Sequence, residues 1–272
     1  MTIFFSEHSK WERDYICNEL LSGIDLTGKN VLVINHATPI EHVKQLVAEH
    51  APQIVFHLSD ERGDHKEWLY IFGSAKYVFR QYNHPHYVYP PNSIQLPLGY
   101  ASGYNKSAQV KPLVERMYKA AFIGELKSDR IEMFGAFEKA FEKDEIFLRA
   151  TRNSWELPTL QYSPAATNEV YSDSIFVPIG RGNESLDCFR FYEAIVSGAI
   201  PVVVGDINEI NMTFQYGGQM PSFLYMSNWT EAAGACKHLI KSQFHVLMAI
   251  QKHNTDWWNA QVQMIRHLIE RA

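Results

Sequence analysis

Cysteine is scarce. The three present, Cys17, Cys188 and Cys236, lie far apart with no CxxC pair, which excludes a disulfide framework and a thiolate zinc site and fits a reducing compartment. Long apolar runs are absent too. Nothing approaches the roughly 20 residues that span a bilayer, and the opening Met1 to His8 has too short an apolar stretch for a signal peptide, so a soluble, cytoplasmic protein without a membrane span is expected. Positive charge is not in excess: 25 Lys and Arg stand against 30 Asp and Glu, a net charge of -5, and no general attraction to nucleic acid or anionic lipid follows. Low-complexity tracts and repeats are also missing. What remains is ordinary globular composition, 46% hydrophobic and 20% charged, over 272 residues, which suits one large domain or two modest ones.

The first hundred residues alternate short apolar runs with helical periodicity. Ile3 to Ser6, Asn30 to Asn35, Gln53 to Ser59 and Lys76 to Arg80 read as strands, and Ile40 to His50 places Val43, Leu46 and Val47 on one helix face. Residues 83 to 118 bring Pro85, Pro90, Pro91, Pro97 and Pro112, the composition of an interdomain connection. The alternation then restarts. Strands are expected at Ala120 to Ile123, Ile146 to Ala150, Ser174 to Pro178, Ile200 to Gly205 and Ser222 to Met226, with helices over Asp129 to Phe141, Leu186 to Ser197 and from Trp229 to the end. The prediction is an α/β protein of two βα domains, 1–110 and 111–250, with a helix over 251–272. Ligands of parallel sheets lie past the carboxyl ends of the strands, which directs attention to His36, Asp60 with Glu61, Gly124 to Arg130, Arg181 to Ser185 and Asp206.

The densest signal runs from Phe176 to Val204. A strand enters a turn with Gly180 and Gly182, Ser185 can cap a helix, Gly198 ends it, and Pro201 opens a buried strand. Exposed amides, the helix dipole and Arg181 suit a phosphate or diphosphate there. A charge-assisted Arg contact is worth roughly 1.5 to 3 kcal/mol against roughly 0.3 to 1 for the dipole, so Arg181 carries more of the expected affinity. Glu193 lies about two turns into that helix, in reach of a ribose whose phosphates sit at the tip; an ordinary Arg190 to Glu193 surface pair is the alternative. Gly180-x-Gly182 is also a fragment of a dinucleotide-binding GxGxxG, but lacks the third glycine.

The run Arg181-Gly182, then Asp187-Cys188-Phe189-Arg190-Phe191-Tyr192-Glu193-Ala194, then Gly198-Ala199-Ile200-Pro201-Val202-Val203 resembles the signature of the exostosin-like glycosyltransferases, family GT47. The resemblance implies a GT-B fold: two Rossmann-like domains facing across a cleft, a nucleotide sugar held by the second, and a C-terminal helix packing back on the first. It implies donor binding by Arg181 and Glu193, with Gly182, Ser185 and Arg190 shaping the turn. It also makes Arg130 a second diphosphate ligand, against the alternative of a surface helix arginine. More loosely, His57 to Glu61, Phe79-Arg80-Gln81-Tyr82 and Leu96-Pro97-Leu98-Gly99-Tyr100 look similar to the acceptor half of such enzymes, giving His57, Arg80 and Tyr100 as acceptor contacts.

The implied reaction is inverting transfer from a UDP-sugar, UDP-xylose first, to a hydroxyl of a glycan. It needs a base on the acceptor side. Asp60 and Glu61 come first, then His36, then Glu7; a helix cap is the alternative for Asp60. No Asp-x-Asp is present and His84-Pro85-His86 lacks a nearby third ligand, so neither an obligatory metal nor another cofactor is expected. A non-catalytic nucleotide-sugar or glycan binder on the same fold is the competing reading.

Overall fold

A computed structural model describes residues 2–6, 9–64, 66–106, 109–151 and 162–272. The chain separates into two compact units, Met1–Ser102 with Tyr216–Gly218 and Ala260–Ala272, and Gly103–Gln215 with Gln219–Asn259. Along the chain the first unit gives way to the second after Ser102.

In the first unit β1 (Thr2–Phe5), β2 (Asn30–Asn35), β3 (Ile54–Leu58), β4 (Tyr77–Arg80) and β5 (Ser93–Gln95) lie side by side in chain order, all parallel. Leu32, Ile34, Val55 and Val78 bury one face against α1 (Ile40–His50) and α2 (Trp68–Ile71) through Val43, Trp68 and Phe72. The alternate residues Val31, Val33, Ile54, Phe56 and Phe79 are buried as well. Burial on both faces explains why these strands read as continuous apolar runs, each such side chain contributing roughly 1.5 to 3 kcal/mol. β5 corrects the sequence reading, which placed a connection there. Pro90, Pro91 and Pro97 hide a three-residue edge strand, the one place in a sheet where flanking prolines are tolerated.

The second unit contains β6 (Tyr118–Glu125), α3 (Arg130–Ala140), β7 (Ile146–Thr151), α4 (Pro164–Ser172), β8 (Ser174–Ile179), α5 (Phe189–Val196), β9 (Ile200–Val204), α6 (Ile207–Phe214), β10 (Leu224–Met226) and α7 (Trp229–Ser242). The 27-residue α8 (Phe244–Glu270) contributes its first turns to this unit and its last turns to the first. Strand order is β7-β6-β8-β9-β10, again all parallel. The chain therefore reverses its direction of travel between β6 and β8. At such a switch point the connections leave to opposite sides and open a crevice beyond the carboxyl ends. Both units are Rossmann-like α/β layers, as the sequence pattern implied.

Local chemistry sets the helix ends. Ser163 Oγ accepts from Ala166 N (3.1 Å) with Pro164 following, and Asp206 Oδ1 accepts from Asn208 N (2.8 Å). Gly198, at φ +71°, closes α5 as expected. The start of α5 differs from the expected Leu186. Gly182 N bonds Ser185 O (2.8 Å) and Ser185 Oγ accepts from Asp187 N (2.9 Å), so these residues close a turn first and Cys188 becomes the N-cap.

Candidate functional site

The switch point of the second unit gathers the arginines singled out from the sequence. Arg130, on the first residue of α3, lies only 7% exposed between the ends of β6 and β8. Its guanidinium donates to Glu125 O (3.0 Å) and twice to Gly180 O (3.4 and 3.3 Å), and stands 5.3 Å from the Phe122 ring centre. Among the described residues no carboxylate forms an ion pair with it. The neighbouring Asp129 is otherwise engaged, accepting from Arg181 N (2.9 Å) and Trp229 Nε1 (3.0 Å). Burial, with Arg190 nearby, lowers the Arg130 pKa. Gly180 is required by this packing, because a Cβ there would overlap Arg130 Cγ.

Arg181 is differently placed. Its guanidinium forms a two-pronged pair with Glu209 in the first turn of α6, both contacts at 2.6 Å, and that hydrogen bonding raises its pKa. An anion reaching Arg181 must compete with Glu209, whose part was not legible because nothing in the sequence relates a residue after β8 to one in the first turn of α6. Arg190 donates to Ile123 O (2.9 Å) and pairs with Glu193 (2.5 Å). Burial works against the Arg190 charge, but Glu193 and the Tyr171 hydroxyl outweigh it and its pKa rises. Glu193 itself is 0% exposed. The pair left open by the sequence thus forms, but as a buried one, and the carboxylate expected to meet a ribose is turned into the protein. Ser185, expected as the cap, serves the preceding turn, next to Gly182. Cys188 makes no side-chain cap hydrogen bond, residues 188–190 are half-buried, and Phe191 N donates to Cys188 O (3.1 Å).

The carboxyl edge of the first sheet is wired differently. Asp60, 1% exposed, pairs with the equally buried Arg80, accepts from Asp64 N (3.1 Å), and its carbonyl accepts from His84 Nε2 (2.7 Å). Arg80 Nη1 donates to His57 Nδ1 (3.1 Å), and the His57 ring packs on Trp68 at 4.6 Å. These contacts tie the Asp60 carboxylate to Arg80 inside the fold. Glu61 is half-buried and His36 exposed, both beyond strand ends; Glu7 falls outside the described residues. Tyr100 donates to Glu19 (2.7 Å), packs on Tyr15 at 5.7 Å and is buried. It and His57 are both buried in this structure.

A further carboxyl was not legible. Glu12 is 1% exposed beyond β1, accepts from Ser59 Oγ, and its Oε2 has no hydrogen-bond partner among the described residues. Burial raises its pKa, with the Ser59 bond opposing. It sits in the polar run Trp11-Glu12-Arg13-Asp14, which reads as surface. Among the described residues no group of three His, Cys, Asp or Glu is placed to hold a metal, and no helix is long and apolar enough to cross a membrane.

No protein-family model matches the chain, and no curated protein is similar to it in sequence. Among solved structures it is similar to an α1,3-fucosyltransferase (12% identity over 89% of this chain and 78% of that one, TM-score 0.48). It is also similar to the glycotransferase of kitacinnamycin (13%, 89% and 75%, TM-score 0.47). A third is the DNA-modifying enzyme beta-glucosyltransferase, whose substrate is uridine diphosphoglucose (12%, 89% and 80%, TM-score 0.44). At these identities the likeness assigns no residue and no substrate to this chain.

Proposed function

We propose that the protein is a glycosyltransferase of the GT-B type whose nucleotide-sugar diphosphate sits at the β6/β8 switch point. The observation that carries this reading is Arg130: a buried guanidinium with carbonyl partners but, among the described residues, no paired carboxylate, close to Cys188 and Arg190 at the start of α5. A buried cation of this kind is costly until an anion completes it. Arg130 then stabilises the charge that develops on the departing diphosphate, usually the largest catalytic term in such transfers. Arg181 joins it on release from Glu209. Glu193 acts as a positioning residue that holds Arg190.

The finer reading follows the sequence resemblance: inversion, UDP-xylose as donor, no obligatory metal, and a glycan hydroxyl as acceptor. Inversion needs a proton acceptor, and with Asp60 consumed by Arg80 the candidates are Glu61, then His36, then Glu7. That consumption also favours the competing reading of a non-catalytic nucleotide-sugar binder.

Calorimetry with UDP on wild type and Arg130→Met tests the site. A loss of about ten- to a hundredfold in affinity is expected for one charge-assisted contact, and unchanged affinity removes the proposal. Incubation with a panel of UDP-sugars separates the two readings: a transferase releases UDP slowly from its own donor, and a binder releases none.

A further inference from the structure

The first unit contains a cavity of about 200 Å3 at the carboxyl end of β4 and along the edge strand β5, lined by Arg80, Tyr82, Asn83, Tyr89, Ser93, Ile94 and Gln95. All but Arg80 are half-buried, so the walls are fixed yet reachable. Their chemistry is specific. Two tyrosine rings and Ile94 supply flat apolar surface, while Asn83, Gln95 and Ser93 carry amide and hydroxyl groups that both donate and accept. That combination matches a ring with apolar faces and a rim of hydroxyls. The volume is below the roughly 300 to 1,000 Å3 of pockets that enclose drug-sized ligands, and so suits a single ring.

Charge narrows the class further. Arg80 is the one ionisable cation in the lining, and its charge is already met by Asp60 from behind. A ligand carboxylate or phosphate would find no uncompensated charge here, in contrast to Arg130, while Arg80 Nε, without a hydrogen-bond partner among the described residues, is left to donate to a neutral oxygen. The site is also built before any ligand arrives. Tyr89 Oη accepts from His84 N (2.7 Å), Arg80 lies 5.7 Å from the Tyr89 ring centre and 4.8 Å from that of Tyr87, and Tyr87 Oη donates to Gly63 O. Tyr82 is held at φ +59°, a conformation that non-glycine residues adopt at a cost and that concentrates at ligand clamps.

We propose that this cavity binds one uncharged monosaccharide ring and serves as a subsite for a neutral glycan acceptor. Its role as an acceptor subsite rests on the transferase reading; its sugar binding does not.

Saturation-transfer difference NMR on the full chain, with xylose, galactose, glucose, glucuronate and glucose 1-phosphate as separate probes, tests it. At least one neutral sugar is expected to receive saturation, with the charged analogues at least tenfold weaker. Ser93→Trp, which fills the cavity from the half-buried edge strand, should remove the signal. Tyr89→Leu should reduce it at least threefold. UDP affinity measured on the same samples reports both folding and the donor site, and should be unchanged. Absence of any neutral-sugar signal, preference for a charged analogue, or full binding by a folded Ser93→Trp protein overturns the proposal. Sugar binding that persists in a protein with no UDP affinity removes the donor reading and leaves this one standing.

Discussion

Two buried arginines close the carboxyl edges of two parallel sheets, and the fold treats them in opposite ways. Arg80, at the end of β4, has a carboxylate, an imidazole and two tyrosine rings around it. Arg130, beyond β6, has two carbonyls and one phenyl ring. The sheets differ in the same sense. Strands of the first follow one another in chain order, whereas the second reverses between β6 and β8 and so makes a crevice where Arg130 stands. A self-neutralised edge can shape a pocket; an edge with charge left over can hold an anion.

The contrast breaks most directly at Asp60. Asp60→Ala leaves Arg80 buried without its counter-charge and should cost about 3 to 5 kcal/mol in urea unfolding, with UDP affinity retained by the folded fraction. Arg130→Met should show the reverse, holding or raising the midpoint while losing UDP, because replacing an uncompensated buried ion by an apolar side chain is often neutral or stabilising. Equal destabilisation by both would erase the distinction drawn between the two edges.

A smaller effect probes the packing beneath the second edge. Gly180→Ala forces its new methyl group onto Arg130 and should cost about 1 to 3 kcal/mol. Shortening the neighbour, in Gly180→Ala/Arg130→Ala, should return part of it. A double variant no more stable than the sum of the singles would place the clash elsewhere.

The smallest effect belongs to Glu12 at the first edge. Its pKa is raised above 4.5, chiefly by burial, so the folded protein keeps that proton longer than the unfolded chain. Its stabilising contribution is therefore complete below pH 4.5 and lost as pH rises through the folded value. Glu12→Gln should gain on wild type as pH rises from 4 to 7, in thermal unfolding followed across that range. A difference independent of pH would mean Glu12 titrates normally.

The elements with strong periodicity were legible: four strands of the first sheet, α1, and the β8-α5-β9 segment with its Gly198 stop. β5 was masked by its prolines, and the true start of α5 by Ser185, which satisfies the rule for a cap while its hydroxyl serves an adjacent turn. For the candidate site, local spacing identified the arginines but could not name their partners. Glu209, Asp129 and Gly180 reach Arg181 and Arg130 through tertiary packing, and whether a carboxylate faces solvent or an arginine decides its chemistry. Glu193 and Asp60 both resolved toward an internal partner for that reason.

The grip of Glu209 on Arg181 also bears on how anion binding responds to ionic strength. An incoming phosphate exchanges one carboxylate for another group of like sign, so calorimetry records a difference between two contacts rather than the whole of one. Added salt screens the contact being lost as well as the one being gained. Affinity should consequently decline less with salt than the number of arginines at that edge would suggest.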